Sequence, residues 1–302
     1  MIVLCFLTNW KFFSIRLKEL YDVVHRFVII EAPVTHQGKP KPLYFHENSE
    51  RFRTFSDKIH HVVVRDMPEE DNWQREFYQR NALRGAIPDA LADDLIVVSD
   101  VDEIPNISAL QEAAQRKSFL FFEMGLHYYF LNLKAGSWTK AYCAPKSTID
   151  RMEDLSLPRL REINYLTEFN GSADTHLLRN AGWHLTWQLG VEAIMAKLDA
   201  FSHSEFRRFR QPDRIRRAMV NRRFFIGGEV LDEVPLRNLP NAVQKDVTYH
   251  RAQGHFAPPL PPLPIHWFDL MCMRVGAWRD SAVGAGQRLR RFGSSKRPLS
   301  RA

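Results

Sequence analysis

Short apolar runs alternate with stretches of helical spacing over the first hundred positions. Ile2–Leu7 is fully apolar, as a strand buried on both faces must be. Ile15, Leu17, Leu20, Val23 and Val24 recur at mostly helical spacing and predict a helix over 14–25. Phe27–Ile30 reads as a second buried strand ending at Glu31, followed by a polar loop over Pro33–Pro42. Ile59–Val64 is the third strand, and Asn72–Ile87 a helix that the pair Ile87-Pro88 ends. Leu95–Ser99 is the fourth strand and runs straight into Asp100-Val101-Asp102-Glu103-Ile104-Pro105. Ser108 and Gln111 have the spacing of a capping box, which starts the next helix at Ser108.

Strand and helix alternating in this way give βαβ units, and so an α/β fold with a parallel sheet. After residue 118 the pattern changes. Phe119–Phe122, Leu126–Leu131 and Trp138–Cys143 are closely spaced strand candidates rich in aromatics, which suits a smaller antiparallel or mixed region. Val191–Phe201 and Pro212–Arg223 read as helices. From Ala257 the composition breaks into a segment with Pro258, Pro259, Pro261, Pro262 and Pro264, then a Gly/Ser/Arg-rich end. The division expected is one folded domain over 1–250 and a Pro-rich, basic, poorly ordered tail over 251–302.

A formal net charge of +7 raises nucleic acid as a partner, but its distribution argues against that. From Arg274 onward there are eight basic residues against the single acid Asp280, so residues 1–273 are close to neutral. A second basic cluster between Arg207 and Arg223 reads as a solvated helix face; its other readings are contact with an acidic acceptor or an anionic membrane surface. Cys5, Cys143 and Cys272 are far apart and lack metal spacing, which fits a reducing compartment better than a disulfide framework. No stretch reaches membrane length, and the apolar run after Met1 is too short for a signal segment; the expectation is a cytoplasmic protein.

The sharpest chemical feature is Asp100-Val101-Asp102 at the end of the fourth strand. Parallel α/β sheets bind ligands at the carboxyl ends of their strands. Two carboxylates one residue apart there suit Mg²⁺ or Mn²⁺, an ion able to bridge a nucleotide diphosphate.

Several segments then resemble glycosyltransferase family 17: Arg16-Leu-Lys-Glu-Leu-Tyr-Asp-Val-Val, Phe27-Val-Ile-Ile-Glu-Ala, Gly38-Lys-Pro-Lys-Pro-Leu-Tyr-Phe-His-Glu-Asn, Arg75-Glu-Phe-Tyr-Gln-Arg-Asn-Ala, Ser99-Asp-Val-Asp-Glu-Ile-Pro, Gly182-Trp-His and Ser202-His-Ser-Glu-Phe. The resemblance spans roughly residues 2–245. It implies a GT-A fold, with a Rossmann-like, mostly parallel sheet flanked by helices and a smaller mixed sheet in the acceptor half. It further implies inverting transfer of N-acetylglucosamine from a UDP-sugar to a glycan, with a divalent metal. Thr8-Asn-Trp-Lys-Phe-Phe departs from the family's acidic stretch after the first strand, and the tail is foreign to it.

Within that frame Asp100 and Asp102 are the metal ligands, with His203 chosen over His184 as a third. Glu31, at a strand end, could accept a hydrogen bond from base or ribose; Arg80 could pair with phosphate, beside Asn81; Lys39 and Lys41 could clamp donor or acceptor. The base that takes the acceptor proton is assigned to Glu192, with Asp174, Glu205 and Glu103 as competitors. Trp183 and Trp187 could stack on sugar, although core packing is the simpler role. Three rivals stand beside the transferase: a nucleic-acid binder, a non-turning-over glycan binder and a sugar nucleotidyltransferase. The third wants a glycine-rich loop after the first strand, and Thr8–Phe13 has no glycine.

Overall fold

The computed structural model describes residues 2–5, 12–69, 71–151 and 175–258. Its strands are β1 (Ile2–Cys5), β2 (Phe27–Glu31), β3 (Ile59–Val63), β4 (Leu95–Asp100), β5 (Glu103–Pro105), β6 (Phe119–Phe122), β7 (Met124–Tyr128), β8 (Leu133–Trp138), β9 (Tyr142–Pro145), β10 (Thr175–Leu178), β11 (Gly182–Thr186) and β12 (Asp232–Glu233). Its α-helices are α1 (Phe13–Leu20), α2 (Tyr44–Glu47), α3 (Asn72–Asn81), α4 (Ile107–Arg116), α5 (Lys146–Arg151), α6 (Gly190–Ala200), α7 (Pro212–Val220), α8 (Asn241–Lys245) and α9 (Val247–Ala252).

Seven strands form one sheet in the order β10-β6-β9-β4-β1-β2-β3. The half made by the opening rhythm of the sequence is parallel: β1 lies between β2 and β4, and β3 extends it beyond β2. The other half is mixed, because β9 runs antiparallel to both β4 and β6 while β10 is parallel to β6. Every residue of β2 is buried, which accounts for its unbroken apolar run. One face of the sheet packs on Phe13, Leu17 and Leu20 of α1; the opposite face gathers Val28, Ile30, Leu83 and Ile87.

A second sheet has the order β12-β8-β7-β11-β5, with only the β7–β11 pair parallel. Its core joins Leu133, Trp187, Ile194, Ile215 and Phe225, so α6 and α7 cover it. β4 and β5 are consecutive in the chain yet belong to different sheets, and Asp100–Asp102 make the crossing. Gly182 opens β11 opposite Pro105 at φ +151°, where a side chain would collide with the Ile104 carbonyl.

Three elements differ from the sequence expectation. The segment expected as one strand over Trp138–Cys143 is the end of β8 and the start of β9, and the residues between carry the chain from one sheet to the other. The helix expected over Asn72–Ile87 ends at Asn81, and a 3₁₀ turn over Arg84–Ala86 follows. The cap of α4 is Asn106 rather than Ser108: its side-chain oxygen accepts from Ala109 N–H at 2.8 Å and from the Ser108 hydroxyl at 2.9 Å. The folded body continues past residue 250, since Leu131 N–H bonds the His255 carbonyl and Ala257 N–H bonds Asn132, each at 2.9 Å. The expected tail over 259–302 lies outside the described residues. Among the described residues no helix is long and apolar enough to cross a membrane.

Candidate functional site

The Asp100-Val101-Asp102 turn is built on a buried cation. Arg16 on α1 is fully buried; Nη1 donates to the carbonyls of Asp100 (3.0 Å) and Glu103, and Nη2 to the Ser99 hydroxyl (2.7 Å). Burial drives its guanidinium down to about 9 against the opposing pull of Glu103, Asp102 and Asp100. Glu103, also fully buried, accepts from the Asp100 N–H at 2.8 Å and from the Trp138 indole at 2.5 Å. The turn is thus clasped by a buried cation and a buried anion that lie outside the Asp100–Asp102 pair itself.

Those two carboxylates differ. Asp100 keeps 21% side-chain exposure and meets Arg80 of α3 at 2.7 Å. Asp102 is buried; Lys197 of α6 lies 3.3 Å from one oxygen, and His184 of β11 lies 3.6 Å from the other. Burial alone would raise the Asp102 carboxyl, but Lys197 and His184 outweigh it and hold it at about 2. Lys197 also donates to Thr186 at 3.0 Å and stands 5.2 Å over the Trp187 ring. Arg16, Lys197 and Glu103 in its clasping role were not read from the sequence as site residues. Arg16 carried a signal: a cation inside the apolar stripe of Ile15, Leu17 and Leu20.

Arg80 is itself held by Glu76 (Nε to Oε1, 3.0 Å), and Glu76 takes the Ser202 hydroxyl at 2.5 Å. Buried His36 spans Ser202 and Gln79, at 3.0 Å each. Burial lowers this imidazole below its usual value, against the opposing pull of Glu76. The loop after β2, α3 and the segment after α6 are thereby tied to Asp100 through one chain of side chains.

The expected ligand set of Asp100, Asp102 and His203 does not assemble: among the described residues no group of three His, Cys, Asp or Glu side chains could hold a metal ion. His203 is instead 2.8 Å from Glu205 and packs its ring against Trp73 and Phe206, while His184 is the histidine beside Asp102. Each carboxylate of the motif instead faces a cation of the protein, Asp100 with Arg80 at 2.7 Å and Asp102 with Lys197 at 3.3 Å, and oxygen donors of this kind are the type that Mg²⁺ and Mn²⁺ take.

Glu31 is not available to a nucleotide. It has no exposed surface and accepts from Phe45 N–H and His61, both at 3.1 Å, with Lys41 4.0 Å away. A strand-end acid expected to face ligand instead anchors the loop folded over it. Lys39 is exposed, and Asn81, half-buried, is the last residue of α3 beside Arg80. Glu192 is exposed in the first turn of α6. Of its competitors, Glu103 is buried and engaged, Glu205 holds His203, and Asp174 lies outside the described residues. Trp187 packs edge-on to Phe201 and Phe225, and the Trp183 indole donates to the Asn238 carbonyl at 2.7 Å.

With this geometry in hand, the chain matches the family model described as glycosyltransferase family 17 over residues 2–235. It is similar to β-1,4-mannosyl-glycoprotein 4-β-N-acetylglucosaminyltransferase of Homo sapiens, 26% identical over 222 residues that cover 65% of this chain and 42% of that enzyme. The Rattus norvegicus enzyme of the same name is also 26% identical, over 65% of this chain and 41% of its own. The match spans less than half the length of these relatives. Among solved structures, a Bacillus anthracis protein assigned as a glucose-1-phosphate thymidylyltransferase aligns over 56% of this chain and 73% of its own, with 12% identity and a TM-score of 0.33. At that level the likeness carries no argument.

Proposed function

The chain belongs to glycosyltransferase family 17, and on that premise we propose that it moves a sugar, N-acetylglucosamine by kinship, from a nucleotide-sugar donor to a glycan hydroxyl with inversion, on a GT-A type fold. The observation that carries this reading is the Asp100–Asp102 turn at the carboxyl end of a central strand, with charge clasping it from beneath. In α/β sheets that edge is where ligands sit.

Asp100 and Asp102 would hold Mn²⁺ or Mg²⁺, which when bound offsets the charge of the departing diphosphate. The protein supplies the rest. Arg80, braced by Glu76, adds a planar cation beside Asp100 that suits phosphate oxygens. Lys197 supplies a second cation beside Asp102, and Arg16 keeps both backbone carbonyls of the turn in place. Glu192 is the base assigned to the acceptor: as the hydroxyl oxygen bonds to the anomeric carbon, the bond to diphosphate breaks and the hydroxyl proton passes to this carboxylate. Its exposure supports the role, since Glu103 and Glu205 are already engaged.

Isothermal titration of UDP, GDP and UDP-N-acetylglucosamine, with and without Mn²⁺, tests the reading. Binding of one nucleotide that depends on metal and is lost in Asp102→Ala is expected. Asp102→Asn, which keeps a polar partner for Lys197, controls for folding. If no nucleotide binds in the presence of metal, the transferase reading fails.

A further inference from the structure

The formal charges around the Asp100–Asp102 turn already cancel. Arg80 Nη1 stands 2.7 Å from Asp100, and Lys197 Nζ stands 3.3 Å from Asp102. Beneath them Arg16 and Glu103, both fully buried, are a second pair of opposite charges. Asp102 and Arg80 are only 6% and 3% exposed, so water screens little here. A divalent cation arriving alone would bring two unanswered charges to a buried place, which is costly. The same cation arriving with a sugar-nucleotide diphosphate brings none, because the phosphate charges come with it.

The two protein cations are held differently. Arg80 is braced from behind: Nε and Nη2 each lie 3.0 Å from Glu76 Oε1, and Glu76 in turn takes the Ser202 hydroxyl. Lys197 has Asp102 as its one carboxylate partner among the described residues. Its ammonium also donates to the Thr186 hydroxyl at 3.0 Å and stands 5.2 Å over the Trp187 ring, and 21% of its side chain is exposed. Those two contacts are uncharged and can keep the ammonium in place of Asp102. A compact charge on a flexible stem is also better suited to changing partners than a braced, planar guanidinium.

We propose that Lys197 is the resident counterion of Asp102: it occupies the carboxylate in the empty site, bars a divalent cation that comes alone, and gives Asp102 up when a diphosphate arrives to take the ammonium instead. The inference rests on the nucleotide-sugar reading and adds a coupling to it. Metal and nucleotide enter together, and each strengthens the binding of the other by the same factor. The cavity of about 750 Å³ beside α9, which Ser14 of α1 and Gly190 of α6 line together, has no Asp or Glu in its wall. It therefore offers Mn²⁺ no carboxylate that would compete with the turn.

Electron paramagnetic resonance counts the Mn²⁺ left free in solution, and so gives Mn²⁺ affinity with and without saturating UDP. The full chain is measured as wild type, Lys197→Met, Lys197→Gln and Asp102→Asn. Wild type should bind Mn²⁺ alone about tenfold more weakly than with UDP, or weaker still. Lys197→Met and Lys197→Gln, the second keeping a donor for Thr186, should bind Mn²⁺ alone about tenfold more tightly than wild type, and UDP should then add less. Structural damage would weaken metal binding, so a gain in affinity separates a counterion from a packing residue. Asp102→Asn should lose the Mn²⁺ site. Where UDP binds, Mn²⁺ held equally well with and without it overturns the proposal. So does Mn²⁺ affinity unchanged or weakened in both lysine variants. UDP that binds as tightly without Mn²⁺ overturns it too, and gives the task of the ion to Arg80 and Lys197. If UDP binds under no condition, the nucleotide-sugar reading fails, while Mn²⁺ alone on wild type and the lysine variants still decides whether Lys197 guards Asp102.

Discussion

The Asp100–Asp102 turn and the cavity beside α9 share two helices, α1 and α6, yet they handle buried polarity in opposite ways. At the turn, Arg16, Glu103 and Asp102 are charged and buried together, each answering another. Toward the cavity, Gln188 bonds two carbonyls with its amide; between the two regions His127, which feels the charge of His184, gives its Nδ1 to the Leu131 carbonyl at 2.7 Å. Burial pushes that imidazole down to about 4. The turn is preassembled by electrostatics, and each region keeps buried polar atoms without a hydrogen-bond partner: Arg16 Nε and His184 Nδ1 at the turn, Gln188 Oε1 on the other side. A fixed charge constellation suits a group that must be placed identically every cycle, whereas the cavity is lined mainly by aromatic and uncharged side chains with Arg51 among them.

The comparison breaks most visibly at Arg16. Arg16→Ala leaves two carbonyls and a buried glutamate without their cation, and should cost about 3–5 kcal/mol in urea unfolding. A loss below about 1 kcal/mol would show that the turn does not depend on it.

Acid separates the two regions next. A histidine held below its usual value keeps its contribution above pH 6.5 and loses it as pH falls toward the folded value of about 4, so His127 should forfeit about 3 kcal/mol across that window. Asp102, a lowered carboxyl, keeps its contribution above its usual 3.8 and gives it up only as pH falls toward about 2. Stability measured against pH should therefore fall first through His127, and His127→Asn should flatten the slope between pH 6.5 and 4. A slope unchanged in that variant would assign it elsewhere, with buried His36 the next candidate.

The smallest effect is expected at Lys197. Lys197→Met removes one of two partners of Asp102, for on the order of 1.5 kcal/mol, and lets the carboxyl move upward toward the value burial favours. Carboxyl titration followed by NMR would register it. No movement would place His184 as the dominant partner.

Periodicity made much of the parallel half of the fold legible. Burial on both faces leaves an apolar run such as Phe27–Ile30 in plain view. The mixed half was harder, because β8 and β9 change sheets within a few residues and neither is long enough to show its own alternation. The site divided along similar lines. Asp100 and Asp102 stood out because sequence neighbours met at a strand end, and Arg80 because its helix preceded that strand. Lys197 and His184 meet Asp102 only through the second sheet, at sequence separations near a hundred, where spacing carries no information. Glu31 misled for a different reason: strand ends were read as ligand-facing, and a loop had folded over this one.

Gly182 carries a consequence for how this sequence can vary. Where β11 meets β5 only a hydrogen fits, so the seam between the sheets tolerates no drift at that residue, whereas Gly85 and Gly254 have open space around them. A saturation library selected only for folded protein should return glycine alone at 182 and a spread of residues at 85. The junction that carries Asp102 is then held at a residue whose side chain is a single hydrogen.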